Sequence, residues 1–183
     1  MRYGASYITH EIPAGPIRAL ADFVKTKEAE VAVTVDHDGI TRRSSKVIWV
    51  KEAALLSPFQ DIAMRVNRQA GWDFDIDVLE PLQYTEYYGG DEYGWHCDQH
   101  KTPYPDGRVR KFSFSVFLND DFEGGAFDLE IYAPNFDVRH VTFDKLKPNT
   151  ALFFQADLWH RVRPVSRGLR KSLVGWVLGK KFK

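Results

Sequence analysis

The stretch Tyr87-Tyr88-Gly89-Gly90-Asp91-Glu92-Tyr93-Gly94-Trp95-His96-Cys97-Asp98 decides how the rest of the chain is read. It ends with a histidine and an aspartate separated by one residue, in a segment rich in tyrosine and tryptophan. If that segment is a β-strand, side chains i and i+2 leave the same face, so His96 and Asp98 point together and Cys97 points away. Two ligands leave a metal under-coordinated. The run Leu152-Phe153-Phe154-Gln155-Ala156-Asp157-Leu158-Trp159-His160 offers a third, His160, beside another apolar, strand-like segment. Two histidines and one carboxylate on one face, with open positions opposite, form the facial triad suited to non-haem Fe(II) and oxygen chemistry.

The chain of 183 residues is long enough for one domain with a substantial core. Residues are 44% hydrophobic, 27% charged and 14% aromatic. That aromatic share, distributed over many short β-prone runs, predicts a β-rich body. The formal net charge is zero, so no global field draws in nucleic acid or an anionic membrane. A single cysteine excludes an internal disulfide framework and fits a reducing compartment. The first residues lack the apolar core of a signal peptide, and no apolar run approaches the roughly 20 residues of a membrane span. The expectation is a soluble, cytoplasmic protein with no membrane partner.

Along the chain, Ile17, Leu20, Ala21 and Val24 share a helical face, predicting a helix from Ile17 to Val31 with Pro16 in its first turn. A hairpin turn is expected at Asp36-His37-Asp38-Gly39. The charged run Arg42-Arg43-Ser44-Ser45-Lys46 precedes the short strand Val47–Val50. It reads either as a solvated strand end or as part of a substrate rim. Ser57, Pro58 and Gln60 suggest an N-cap, first-turn proline and capping-box partner for a second helix that Gly71 stops. Eight strands follow: Leu82–Tyr88, Tyr93–Cys97, Lys111–Leu118, Phe127–Tyr132, Val138–Phe143, Ala151–Phe154, Trp159–Val165 and Ser172–Leu178. Turn residues separate them, including Pro134-Asn135, which predicts a sandwich or jelly roll. The basic end, Lys180-Lys181-Phe182-Lys183, reads as a frayed terminus.

His10, His37, His100 and His140 are read as structural or surface histidines. A cation is needed besides the triad if a dicarboxylic keto acid chelates the iron through one end and leaves its far carboxylate to the protein. Arginine suits that task because its planar fork makes two parallel hydrogen bonds. Arg170 opens the last strand, where Arg170, Ser172, Val174 and Trp176 share one face. Ser172 could add a hydroxyl, and Trp176 could wall the pocket. Taken alone, Arg170 reads as one more surface arginine beside Arg161, Arg163 and Arg167.

The ordered set Tyr87, Tyr93, His96-x-Asp98, His160 and Gly168-x-Arg170 resembles the 2-oxoglutarate- and Fe(II)-dependent oxygenases, with the nearest likeness to the prolyl 4-hydroxylase-like branch. The resemblance runs from about Leu82 to Leu178 and takes in Phe117-Leu118-Asn119, Glu123-Gly124-Gly125 and His160-x-Val162-x-Pro164-Val165. A weaker likeness reaches upstream to Arg43-x-Ser45. It implies a mainly β protein with flanking helices: a double-stranded β-helix, cupin-like, with residues 1–80 as a support region and 81–179 as the core. It also implies Fe(II) on His96, Asp98 and His160, and 2-oxoglutarate held by Arg170, with Tyr87, Tyr93, Ser172 and Trp176 around it. Arg110 and Arg43 fall where the resemblance implies substrate contacts, and the loop Gln99–Arg108 where a segment closes over substrate. Several relatives carry tyrosine where this chain has Phe117, whose ring cannot supply a hydroxyl to the co-substrate.

The implied reaction is hydroxylation of a C–H bond by O2, with release of succinate and CO2, on a prolyl residue of a protein or peptide. The sequence is silent on any need for ascorbate, the accessory reductant that the resemblance brings in. Oxidative demethylation of nucleic acid, through Arg42, Arg43 and the basic tail, is an alternative that the zero net charge and the ordered motif disfavour. Hydroxylation of a small molecule is another within the same superfamily. A non-catalytic β-helix domain that binds metal or a partner is the reading from a different class.

Overall fold

Side chains along the strands of this protein alternate between two faces, and the two faces have different chemistry. The structure, a computed structural model, describes residues 4–35, 41–132 and 137–181. Its elements in chain order are β1 (Tyr7–Glu11), α1 (Ala14–Val24), β2 (Glu30–Val35), β3 (Thr41–Val50), α2 (Ala53–Gln69), β4 (Ile76–Leu79), β5 (Leu82–Tyr87), β6 (Tyr93–His96) and β7 (Arg108–Phe117). They continue with β8 (Glu123–Gly124), β9 (Phe127–Tyr132), β10 (Val138–Phe143), β11 (Thr150–Gln155), β12 (His160–Val162), β13 (Val165–Arg167) and β14 (Arg170–Lys180). One curled antiparallel sheet runs in the order β1-β11-β7-β14-β5-β3-β6-β12-β9-β10. Among the described residues, the single ladder pair Arg43–Tyr93 joins β3 to β6, so the sheet folds there into two facing halves, the expected jelly roll.

On the larger half, Phe112, Phe114 and Val116 of β7, Phe153 of β11, Leu173 and Val177 of β14 and Leu82 of β5 point outward and are buried beneath the helices. Phe59, Ile62, Ala63 and Val66 of α2 and Leu20 of α1 meet them. The intervening positions, Ser113, Ser115, Gln83, Thr85 and Ser172, point inward and are equally buried. Fully burying each large aliphatic or aromatic side chain is worth roughly 1.5–3 kcal/mol, so the outward face supplies the stability and the inward face is free to carry polar groups. A second apolar cluster, Phe117, Phe127, Leu129, Leu152 and Phe154 among others, draws its members from strands of both halves.

Several expected boundaries move. Helix α1 stops at Val24, and Val31 belongs to the strand β2, where β-branched Val31, Val33 and Val35 favour extended backbone. Helix α2 starts at Ala53, four residues before Ser57, because Ala53-Ala54-Leu55-Leu56 are strong helix formers and the Glu52 carbonyl accepts from the amides of Leu55 and Leu56. Pro58 therefore lies inside the helix, and Ser57 is not its N-cap. Gly71 does end it: at φ +70°, the amides of Gly71 and Trp72 turn back to the carbonyls of Arg68 and Asn67. The strand expected over Trp159–Val165 divides into β12 and β13, since Pro164 has no amide hydrogen to give the ladder. The first eighty residues also contribute to the sheet, with β1 paired to β11 and β3 lying between β5 and β6. The turn expected at Asp36–Gly39, with His37, and the Pro134-Asn135 turn lie outside the described residues. Among the described residues, no helix is long and apolar enough to cross a membrane.

Gly175 shows how closely the outward face is packed. A Cβ there would lie 2.3 Å from Cζ of Phe114 and 2.9 Å from Cδ2 of Leu82. Phe114 in turn stacks on Phe59 of α2, ring centroids 6.2 Å apart. Gly175→Ala should therefore destabilise the fold by about 1–3 kcal/mol, read as a lower midpoint of urea unfolding. An unchanged midpoint would mean that the Phe114 ring yields without cost.

Candidate metal centre and its cavity

His96 is the last residue of β6 and His160 the first of β12, and the two are directly paired across the antiparallel ladder. Pairing puts both imidazoles on the inward face, with ring centroids 4.1 Å apart. Asp98 is not in the strand, as the i, i+2 argument assumed, but in the bend that follows it. The bend is held by the Ala156 carbonyl, which accepts the amides of both Asp98 (3.0 Å) and Gln99 (2.8 Å). The carboxylate still turns inward: Oδ1 lies 3.9 Å from Nε2 of His96, and Oδ2 lies 3.6 Å from Nε2 of His160.

The tautomers are set by the backbone. Nδ1 of His96 donates to the Gly94 carbonyl (2.8 Å), and Nδ1 of His160 donates to that of Leu158 (3.0 Å). Each Nε2 is thereby left with its lone pair facing Asp98, the arrangement by which outer contacts orient metal-binding histidines. Oδ2 of Asp98 is buried with no hydrogen-bond partner. Ligand atoms from the three residues all lie within 4.8 Å of one another, and this is the sole group of its kind among the described residues. An orphaned buried carboxylate oxygen between two oriented imidazoles fits a divalent cation. Burial, with the second imidazole of His160 adding to it, lowers His96 to about 3. Asp98 also sits below the usual carboxylate range: burial alone would raise it, and the neighbouring imidazoles and Arg110 reverse that.

The triad opens into a cavity of about 260 Å³ between the two halves of the sheet. Tyr87, Tyr93, Arg43, Arg110, Ser172 and Trp176 all line it. Two larger depressions, between α1 and the sheet and along Glu123–Gly125, bring no metal-ligating group together. Tyr93 stacks on His96, centroids 3.6 Å apart and 11° from parallel. Burial pushes the phenols of Tyr87 and Tyr93 up, so both remain hydrogen-bond donors at neutral pH.

Arg170 lies just behind this lining, 1% exposed, and among the described residues no carboxylate pairs with it. Its guanidinium sits over the rings of Tyr87 (5.4 Å) and Phe117 (5.1 Å), and Nη1 donates to the Ser172 hydroxyl (3.2 Å). Nε and Nη2 have no partner. Phe117 thus offers a π face to Arg170, and the Ser172 hydroxyl accepts a hydrogen bond from it. The reading of Arg170 as a surface residue fails, because inward-facing strand positions here are buried whatever their polarity.

Arg110 is occupied. It pairs with Glu80 through two hydrogen bonds of 2.8 Å, reaches the Asp98 carbonyl with Nη1 (3.3 Å) and lies 4.3 Å over the ring of Trp176. Tyr104, from the loop expected to close over substrate, also donates to Glu80 (2.9 Å). Glu80 and Tyr104 were not singled out from the sequence, since their meeting depends on contacts between distant segments. Trp49, packed 6.1 Å from Trp176, was missed although strand alternation places it on the same face as Arg43. His10, His100 and His140 are apart from the centre, packing on Phe153, Tyr104 and Trp95 respectively.

Two outcomes follow from this geometry. In the metal-free protein, an unfolded His96 titrates near 6.5, whereas the folded one stays neutral down to about 3. Between those values the unfolded state binds more protons, so stability rises with pH and is lost as pH falls below 6.5. The thermal midpoint should fall between pH 7 and pH 5 and do so less steeply in His96→Gln; equal slopes would contradict the buried neutral imidazole. Glu80→Gln should weaken the hold on Arg110 and Tyr104, seen as faster proteolysis of the 99–107 loop. An unchanged cleavage rate would mean that the loop is held elsewhere.

A sequence model described as the 2OG-Fe(II) oxygenase superfamily matches residues 82–178. A PKHD-type hydroxylase of Sphingopyxis alaskensis is 36% identical over 109 residues, 58% of this chain and 47% of the relative. Another from Synechococcus sp. (strain CC9605) is 33% identical over 152 residues, covering 76% of this chain and 65% of the relative. The chain spans about half the length of the first of these relatives. Among solved structures, a Pseudomonas putida prolyl-4-hydroxylase aligns with a TM-score of 0.70 at 19% identity, over 97% of this chain and 94% of that one. A prolyl hydroxylase from Trichoplax adhaerens, in complex with a hypoxia inducible factor peptide fragment, aligns with a TM-score of 0.65 at 19% identity, over 94% and 83%. At those identities the structures establish the shared fold. With the match over residues 82–178, more than half of the chain and the part that carries the triad, the chain belongs to the 2OG-Fe(II) oxygenase superfamily.

Proposed function

We propose that this protein is a prolyl 4-hydroxylase-like dioxygenase that hydroxylates a peptide or protein substrate, with Fe(II) held by His96, Asp98 and His160 and 2-oxoglutarate held at its far carboxylate by Arg170. The observation that carries this reading is the buried, acid-free guanidinium of Arg170 beside an oriented two-histidine, one-carboxylate set. A buried cation without a counter-charge is costly, and a dicarboxylate co-substrate would remove that cost. The names of the relatives, PKHD-type hydroxylases and prolyl hydroxylases, support the same class.

Fe(II), once bound with 2-oxoglutarate and O2, supplies oxidative decarboxylation to succinate and CO2 coupled to hydroxylation of a C–H bond. The rest is the work of the chain. The backbone carbonyls of Gly94 and Leu158 hold the imidazole tautomers that present Nε2. Arg170 and Ser172 hold the co-substrate, with Tyr87 as a phenolic donor beside them. Tyr93 fixes the ring plane of His96 by stacking. Trp176, flanked by Arg110 and Trp49, gives the cavity a flat apolar wall on which a pyrrolidine ring can lie. Peptide substrates have precedent in the Trichoplax enzyme, whose structure holds a peptide fragment.

The test is succinate formation from 2-oxoglutarate with Fe(II) and O2, with and without a proline-rich peptide pool, for wild type beside His96→Ala and Asp98→Ala. Wild-type succinate that peptides stimulate and both variants lose is the expected result, followed by an added oxygen on the peptide by mass. Activity retained in both variants would sink the ligand assignment. Arg170→Ala should raise the 2-oxoglutarate requirement by roughly 10- to 100-fold, the value of a charge-assisted pair. An unchanged requirement would place the clamp elsewhere.

A further inference from the structure

The cavity contains a second guanidinium that the reading above does not use. Arg43 of β3 is 9% exposed, and its ring neighbour Tyr93, 4.9 Å below it, is the one stacked on His96. Nε donates to the Ser45 hydroxyl (2.9 Å) and Nη2 to the Gln83 side-chain carbonyl (2.7 Å). Both acceptors are neutral and are themselves buried, so the guanidinium is held in one orientation without being neutralised. Among the described residues, Nη1 has no acceptor and no carboxylate pairs with Arg43. Asp91, on the turn after β5, is already engaged by the Ser44 hydroxyl and the Tyr88 amide and does not line the cavity.

The charges in and just behind the cavity wall can be followed through to a remainder. Arg110 is cancelled by Glu80. Arg170 and Arg43 are positive and Asp98 is negative, which leaves one positive charge. Fe(II) and the 2-oxoglutarate dianion add charges that cancel. One positive charge then persists beside the metal centre in a low-dielectric cleft, on the residue whose free donor borders the cavity. A buried cation left unpaired is costly, and an anion arriving with the ligand would offset that cost through a charge-assisted pair.

We infer that Arg43 receives a carboxylate carried by the substrate next to the residue that reacts, so that the preferred substrate is a prolyl residue followed by an acidic side chain or by the chain's own C-terminal carboxylate. The inference rests on the dioxygenase reading proposed above and names the substrate class for that centre. The cavity favours such a compact anchor. At about 260 Å³ it lies below the roughly 300–1,000 Å³ usual for drug-sized ligands, and Arg43 and the Trp176 wall both face into it. Arginine is suited to a carboxylate here because a fork pinned at Nε and Nη2 loses little freedom on binding.

The experiment measures binding by calorimetry to the protein loaded with Mn(II) and 2-oxoglutarate, using two matched pairs of capped peptides. One pair differs only in Asp against Asn after proline. The other ends in proline as a free acid or as the amide. The acid member of at least one pair should bind about tenfold tighter or more, and which pair does so separates the two sources of the carboxylate. Arg43→Met should bring that ratio close to one, and Arg43→Lys should keep part of it. Equal binding of acid and amide members by wild type overturns the inference, as does a preference that survives in Arg43→Met or tighter binding of an oligonucleotide than of any acid peptide. Because the wild-type ratio alone can overturn it, a variant that fails to fold does not shield the proposal. His96-dependent succinate formation alongside a ratio of one would remove this inference and leave the dioxygenase reading in place. Absence of succinate with metal bound would remove that reading instead.

Discussion

A single backbone carbonyl, that of Ala156, fixes the geometry on which the centre depends. It accepts the amides of Asp98 and Gln99, while the amide of Ala156 donates to the carbonyl of Lys111 in β7. The turn after β6 is thereby tied to the turn before β12 and to the larger half of the sheet at once. Asp98 lies outside any strand, so no ladder would otherwise hold its carboxylate between the two imidazoles. Once that turn is held, the pairing of His96 with His160 does the rest. Arg110 adds a further tie by reaching the Asp98 carbonyl.

The division of labour between the sheet's two faces explains why so polar a cavity is stable. Residues facing the helices are almost all aliphatic or aromatic and bring the burial energy. Residues one position away on the same strands face inward and include Ser113, Ser115, Gln83, Arg43, Ser172 and Arg170. Some of their donors are engaged within the wall, as Nε and Nη2 of Arg43 are by Ser45 and Gln83. Among the described residues, the buried side-chain atoms without a partner are Oδ2 of Asp98, Oγ of Ser113, Nε and Nη2 of Arg170, and Nε1 of Trp176. Most of them are at or beside the cavity. Unpartnered polar atoms gathered in one place are how a protein keeps binding capacity in reserve for a ligand.

The three inner arginines show how context separates identical side chains. Arg110 is neutralised by Glu80 and acts as a strut between the loop, the turn that carries Asp98, and Trp176. Arg170 is buried over two aromatic faces with donors to spare. Arg43 is oriented by neutral acceptors and keeps its charge. Asp128, by contrast, is a buried acid on the outer side of the smaller half, already satisfied by Arg161, Arg163 and Thr142, and it contributes structure alone.

The sequence by itself determined the β-rich architecture, the candidate ligand set His96, Asp98 and His160, and the face that Arg170 shares with Ser172 and Trp176. Each of these depends on local periodicity or short motif spacing, which the linear order of residues carries directly. It misplaced the start of α2, because a serine–proline pair resembles a helix start and the stronger helix formers before it had to be weighed against it. It could not tell that Arg110 is neutralised, that Tyr104 anchors its loop, or that Trp49 walls the cavity. Those facts depend on segments 24 or more residues apart meeting in the fold, as Glu80 does with Tyr104 and Arg110. Tertiary structure alone decided which buried charges find partners within the chain and which are left for a ligand, because desolvation and pairing are properties of the assembled wall and not of any one strand.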